Sequence, residues 1–166
     1  RIRLVAKLMN RTGSPAQILF SQQMFFAVKT EPAEPRGFRA SCRDIPEIRI
    51  EAPDMDVLQS RIATAIPATL ELHYRRNGKP IPAPSPAKRG ETRIYVPARV
   101  QAKSLLWNLM LERGLDSKQL AALSGEKHSV IVHTLDLSKS IGSVEFIEKI
   151  LGKLGQGLDV ELLERP

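Results

Sequence analysis

Two sets of side chains in this 166-residue sequence have types that suit catalysis or recognition. The first is a run of acids, Asp44, Glu47, Glu51, Asp54 and Asp56. A metal-dependent nuclease gathers such carboxylates to hold a divalent cation and activate water. Here they are spread over short alternating segments and a helix start, which reads as surface acidity. Cys42 is the sole cysteine. It excludes an internal disulfide and a Cys-rich zinc site, and it has no evident general base beside it. His128 and His133 are five apart, so they do not share a helix face cleanly as a ligand pair would; His73 reads as an end-of-helix side chain. No Gly-x-Ser-x-Gly, P-loop or His-Glu-x-x-His occurs. Gly152-x-x-Gly155-x-Gly157 ends a helix and follows no strand, unlike a dinucleotide loop. We therefore expect no enzyme, no catalytic residue, no metal and no cofactor.

The second set suits a DNA duplex. Ser117, Lys118 and Gln119 open one predicted short helix, where backbone N–H groups and Lys118 can hold a phosphate. Lys127, His128, Ser129, Val132 and His133 lie on the outward face of the next. Lys127, His128 and Ser129 can donate to base edges, and Val132 can meet a thymine methyl. Lys139 follows as a further cation.

Those residues need two short helices at a fixed angle. Asp116-Ser117-Lys118-Gln119 has capping-box spacing, and Leu115 and Leu120 occupy the positions of a hydrophobic staple. A helix from Ser117 to about Leu123 follows, ended by Gly125. A second helix runs from near Lys127 through Leu135, with Val130, Ile131 and Leu135 inward. Ala121 is small where helices cross, Gly125 can take positive φ in the turn, and Ile131 supplies the anchor. This spacing resembles Cro- and repressor-type helix-turn-helix units, although Ser124 stands where an apolar residue is usual. Before it, Ala102, Leu105, Leu106, Leu109 and Met110 predict an amphipathic helix with Gly114 as C′ residue. After it, Val144, Ile147, Ile150, Leu151 and Leu154 predict another. Leu158 to Leu162 alternates as a terminal strand, which invites pairing with a second copy.

The N-terminal half reads differently. Met24 to Lys29 has strand length, residues 31–37 carry turn chemistry, and Phe38 to Arg43 returns as a hairpin partner. Ile48 to Glu51 is a third strand. Asp54 caps a helix whose stripe is Val57, Leu58, Ile62, Ile66, Leu70 and Leu72, with Pro67 as a kink. Gly78 to Pro86 holds four prolines and is extended. Thr92 to Val96 adds a last strand. The expected class is α+β: a small N-terminal sheet plus helix over 24–97, including a Pro-rich connector at 78–90, then an all-α unit over 98–163.

Charge is unevenly placed. The net charge is +7, and residues 1–23 contribute four basic side chains and no acid. This stretch lacks the ~7–15-residue apolar core of a secretory signal. It reads as a leader outside the fold, with Met24 as the natural start. From Arg75 to Lys103 eight basic residues face Glu91 alone, a positive connector beside the duplex-reading unit. That unit itself is nearly neutral, so the connector would have to assist. No apolar run reaches the ~18–20 residues of a membrane span, and the single cysteine suits a reducing cytoplasm.

From about Met24 onward the chain resembles the HicB-type antitoxins of bacterial type II toxin–antitoxin pairs. The likeness rests on the hairpin, strand and helix, on the Pro-rich segment Gly78 to Ser85, and on Tyr95-Val96-Pro97-Ala98. It continues through Lys103-Ser104-Leu105-Leu106-Trp107-Asn108, Gln119-Leu120-Ala121 and Gly125. The family's Gly-Cys turn is replaced by Asp44-Ile45-Pro46-Glu47. The resemblance implies a partial RNase H-like N-terminal domain without nuclease activity. It implies that this domain covers a HicA-type RNA-cleaving toxin, an mRNA interferase, and we take Phe26, Phe38, Arg39, Arg43 and Asp44 as the toxin-facing residues. It also implies a C-terminal domain that forms a homodimer or higher oligomer, binds double-stranded operator DNA and represses its own operon. Two alternatives stand beside it: a stand-alone transcription regulator with an unrelated sensing domain, and a nuclease using Asp44, Glu47 and Glu51.

Overall fold

The computed structural model describes residues 3–10 and 25–163. The expected start at Met24 and the leader residues 1–2 and 11–23 lie outside the described residues. The chain divides into two compact units, one formed by residues 24–96 and one by residues 97–166 together with the N-terminal segment.

The first unit is a four-stranded sheet carrying one helix. Strands β2 (Phe25–Pro32), β3 (Phe38–Cys42), β4 (Arg49–Ala52) and β5 (Glu91–Tyr95) lie in the order β4-β3-β2-β5. Every neighbouring pair is antiparallel. Register sorts the side chains by the period-2 rule. Phe26, Val28, Ala40, Cys42 and Ala52 share one face and are buried. Lys29, Arg39, Ser41, Arg49, Glu51 and Arg93 share the other and are exposed. Helix α1 (Met55–Thr69) starts at Asp54, whose carboxylate accepts from Val57 N at 2.8 Å, and buries Leu58, Ile62 and Ile66.

The expected stripe fails at the end of α1. Pro67 removes one N–H, and three residues later the helix widens into a π turn, Leu70–Tyr74. The wider turn shifts the facing positions. Leu70 and Glu71 are buried, while Leu72 is 51% exposed. Glu71 is matched by Arg75, whose Nε donates to it at 2.6 Å, and by Arg76 Nε at 3.0 Å.

The second unit contains α2 (Ala98–Glu112), α3 (Ser117–Ser124), α4 (His128–Leu135) and α5 (Val144–Lys153). Its core joins Leu106, Met110, Leu120, Ile131, Leu135, Ile147 and Leu151, with Trp107 packed against it. Helix α2 ends in a Schellman motif: Leu115 N donates to Met110 O and Gly114 N to Leu111 O, with Gly114 at φ +62. The expectation of a simple amphipathic α2 is corrected, because its polar Gln101, Lys103, Ser104 and Asn108 are buried too. Nor is the unit all-α. Strand β6 (Gln156–Leu163) pairs antiparallel with β1 (Arg3–Asn10), so part of the stretch set aside as a leader forms a strand of this unit. Among the described residues, no helix is long and apolar enough to cross a membrane.

Candidate functional site

The geometry most suited to recognition is built by α3, α4 and the turn between them. Asp116 Oδ1 accepts from Lys118 N and Gln119 N, each at 2.8 Å, and Gln119 Oε1 accepts from Asp116 N at 2.8 Å. This capping box takes the backbone N–H groups of Lys118 and Gln119, two of the donors that the sequence offered to a phosphate, and sets a carboxylate beside them. Gly125 takes φ +73 and closes α3 through Ala121 O. Ser124 settles its hydroxyl on Ala121 O at 3.3 Å.

Helix α4 then shows two contrasting faces. Ile131, Thr134 and Leu135 are buried, whereas Lys127, His128, Ser129, Val132 and His133 are exposed. Val130, expected inward, is half-buried. The Ser117 hydroxyl and His128 Nε2 lie 2.9 Å apart, a hydrogen bond between the first turns of α3 and α4. Lys139 is 48% exposed, with its Nζ 3.6 Å from Asp136 Oδ2. The donors picked from sequence therefore lie on exposed parts of one unit.

The positive connector is weaker than its composition. Arg75 and Arg76 share the one carboxylate of Glu71, and Arg76 stays 55% exposed. Lys103 is wholly buried. Lys79, Lys88, Arg89 and Arg93 are exposed.

In the sheet unit the toxin-facing set separates. Phe26 has no exposed surface and is core; as a contact residue it is corrected. Phe38 is half-buried on the same face as Phe26. Arg39 is exposed on the open face. Arg43 donates from Nη2 to Glu91 Oε2 at 3.0 Å and to Pro86 O at 3.1 Å. Asp44 accepts from Ser85 N at 2.8 Å and Ser85 Oγ at 2.6 Å. Sequence reasoning missed that Arg43 and Asp44 pin the Pro-rich connector; the partners stand more than forty residues away, beyond any local pattern. The Glu91 carboxyl is lowered from its ordinary value, first by the Lys88 N–H and then by Arg43.

The acids of the nuclease alternative do not converge. Asp44 serves Ser85, Glu47 accepts from the Tyr74 hydroxyl at 2.9 Å, and Glu51 is exposed on β4. Among the described residues no three His, Cys, Asp or Glu side chains could hold a metal ion together.

Comparison with known proteins gives these units a context. Residues 25–105 match the family described as the HicB_like antitoxin of bacterial toxin–antitoxin systems. Two proteins of Photorhabdus laumondii are similar over most of their length. Antitoxin HicB 1 is 27% identical over 141 residues, covering 85% of this chain and 88% of that protein. Antitoxin HicB 2 is 28% identical over 140 residues, covering 84% and 97%. Residues 25–105 are a HicB-like antitoxin domain. The matched HicB-like stretch spans the four-stranded sheet, α1, the pinned connector and the first half of α2. An antitoxin of this family implies a toxin as partner.

Proposed function

We propose that the chain neutralises a HicA-type RNA-cleaving toxin through its sheet unit, a partial RNase H-like domain, and represses its own operon through its helical unit. The observation that carries the first half is the HicB-like match over residues 25–105. Arg39 and Arg43 are exposed and Phe38 is half-buried, so these members of the toxin-facing set have surface to offer, while Arg43 and Asp44 also hold the connector. Catalysis has no part in this; the antitoxin acts by covering the toxin.

For the second half, the support is the exposure of Lys127, His128, Ser129, Val132 and His133 on a helix whose opposite side is locked into the core. As a helix-turn-helix dimer, two copies would each lay α4 in the major groove, with Ser117, Lys118, Gln119 and Lys139 on phosphates. The setting is the cytoplasm, where both toxin and operator are met.

Co-expression tests the pairing. The reading frame adjacent to this gene should encode a small toxin-like protein that arrests growth alone, and this chain should relieve the arrest and co-purify with it. A chain that purifies alone and leaves the arrest intact defeats the proposal. Operator binding retained under that outcome would mark a stand-alone regulator.

A further inference from the structure

Lys103 sits in the middle of α2 with no exposed surface. A lysine ammonium is almost never fully buried unless acceptors surround it. Here Nζ donates to Asp136 O at 2.7 Å and to Lys139 O at 2.9 Å. Those carbonyls belong to the two ends of the turn that follows α4, and Lys139 N closes the same turn on Asp136 O at 3.3 Å. The Asp136 carboxylate, also buried, accepts from Ser138 N at 3.0 Å and Ser138 Oγ at 2.6 Å, with Lys139 Nζ at 3.6 Å. Downstream, a Cβ on Gly142 would stand 2.9 Å from Thr134 Cγ2, so the loop returns hard against the last turn of α4. The turn is thus fixed through its carbonyls by a buried ammonium and through Ser138 by a buried carboxylate. An apolar side chain could fill the space but could not satisfy either carbonyl.

We propose that Lys103 is a positioning residue for DNA binding: it holds the 136–139 turn so that Lys139 is set at a fixed place beside the exposed face of α4. This rests on the DNA-binding half of the proposed function. The buried cation also meets the carbonyl end of α4, where the helix dipole favours positive charge. Lys103 itself touches no nucleic acid. It removes the freedom of a turn whose backbone would otherwise sample many positions, and so lets Lys139 meet a phosphate without first being ordered.

The test is a double-mutant cycle on the full chain with its own promoter duplex over a salt series. Lys103→Met and Lys139→Ala should each weaken binding by roughly three- to tenfold and lower the salt slope by about one. The double variant should be no weaker than either single, because both remove one contact. Losses that multiply, or a folded Lys103→Met with the wild-type slope, overturn the proposal. Should Lys103→Met fail to fold, Ser138→Ala loosens the same turn from the exposed side and enters the same cycle; multiplying losses there overturn it equally. Wild-type protein that binds no promoter duplex would sink the DNA-binding reading and this inference together, whereas binding with multiplying losses sinks this inference alone.

Discussion

Tyr74 shows how a single side chain reports its surroundings. Burial pushes its phenol up to about 12, and the hydrogen bond to Glu47 adds to the shift. Since the fold favours the neutral phenol, the group is silent below the unfolded value of about 10 and costs stability as pH climbs above it. Ultraviolet titration should find one phenolate step near 12 that Tyr74→Phe abolishes and that Glu47→Gln lowers only in part. Glu91 has the opposite sign. Its depressed folded pKa supplies stability above the unfolded carboxylate range, lost as pH falls through the folded value. Wild type should therefore lose melting temperature on acidification more steeply than Glu91→Gln, and Arg43 should become more accessible to chemical modification as it does.

Among elements, α3 and α1 make an instructive contrast. The start of α3 is legible because every signal lies within six residues: Leu115, Asp116, Gln119 and Leu120. Removing the box with Asp116→Ala should cost about 0.5–2 kcal/mol in chemical denaturation. Asp116→Asn should hold the cap and remove a negative charge, so its promoter affinity should rise; unchanged affinity would place the duplex away from this turn. The end of α1 was not legible. Helical spacing put Leu72 inside, yet a wide turn after Pro67 placed Glu71 there, and periodicity assumes a constant turn. Helix α2 misled for a related reason: its buried Lys103 is satisfied by a turn more than thirty residues downstream.

Across the molecule, local pattern recovered most strands and helices, and the likeness of Gly78–Ser85 and Lys103–Asn108 to HicB-type antitoxins pointed to the family. What escaped was long-range pairing: Asp44 with Ser85, Arg43 with Glu91, and β1 with β6. The candidate DNA face was legible as a set of exposed residues, because inward anchors at Ile131 and Leu135 fix what must point out. Lys118→Ala should weaken binding on every duplex and lower the salt slope by about one, measured by fluorescence anisotropy. Ser129→Ala should cost roughly 1–3 kcal/mol on the operator and little on random DNA.

The pairing of Asn10 with Gln156 has a temporal side. During synthesis β1 leaves the ribosome before β6 and must wait for the residues between Asn10 and Gln156 before its partner strand begins. At ~5–20 residues per second that delay is on the order of ten seconds. The sheet unit, nested between those strands, has all its own residues long before then. Synthesis thus completes the HicB-like sheet before the helical unit can close its β1–β6 pair.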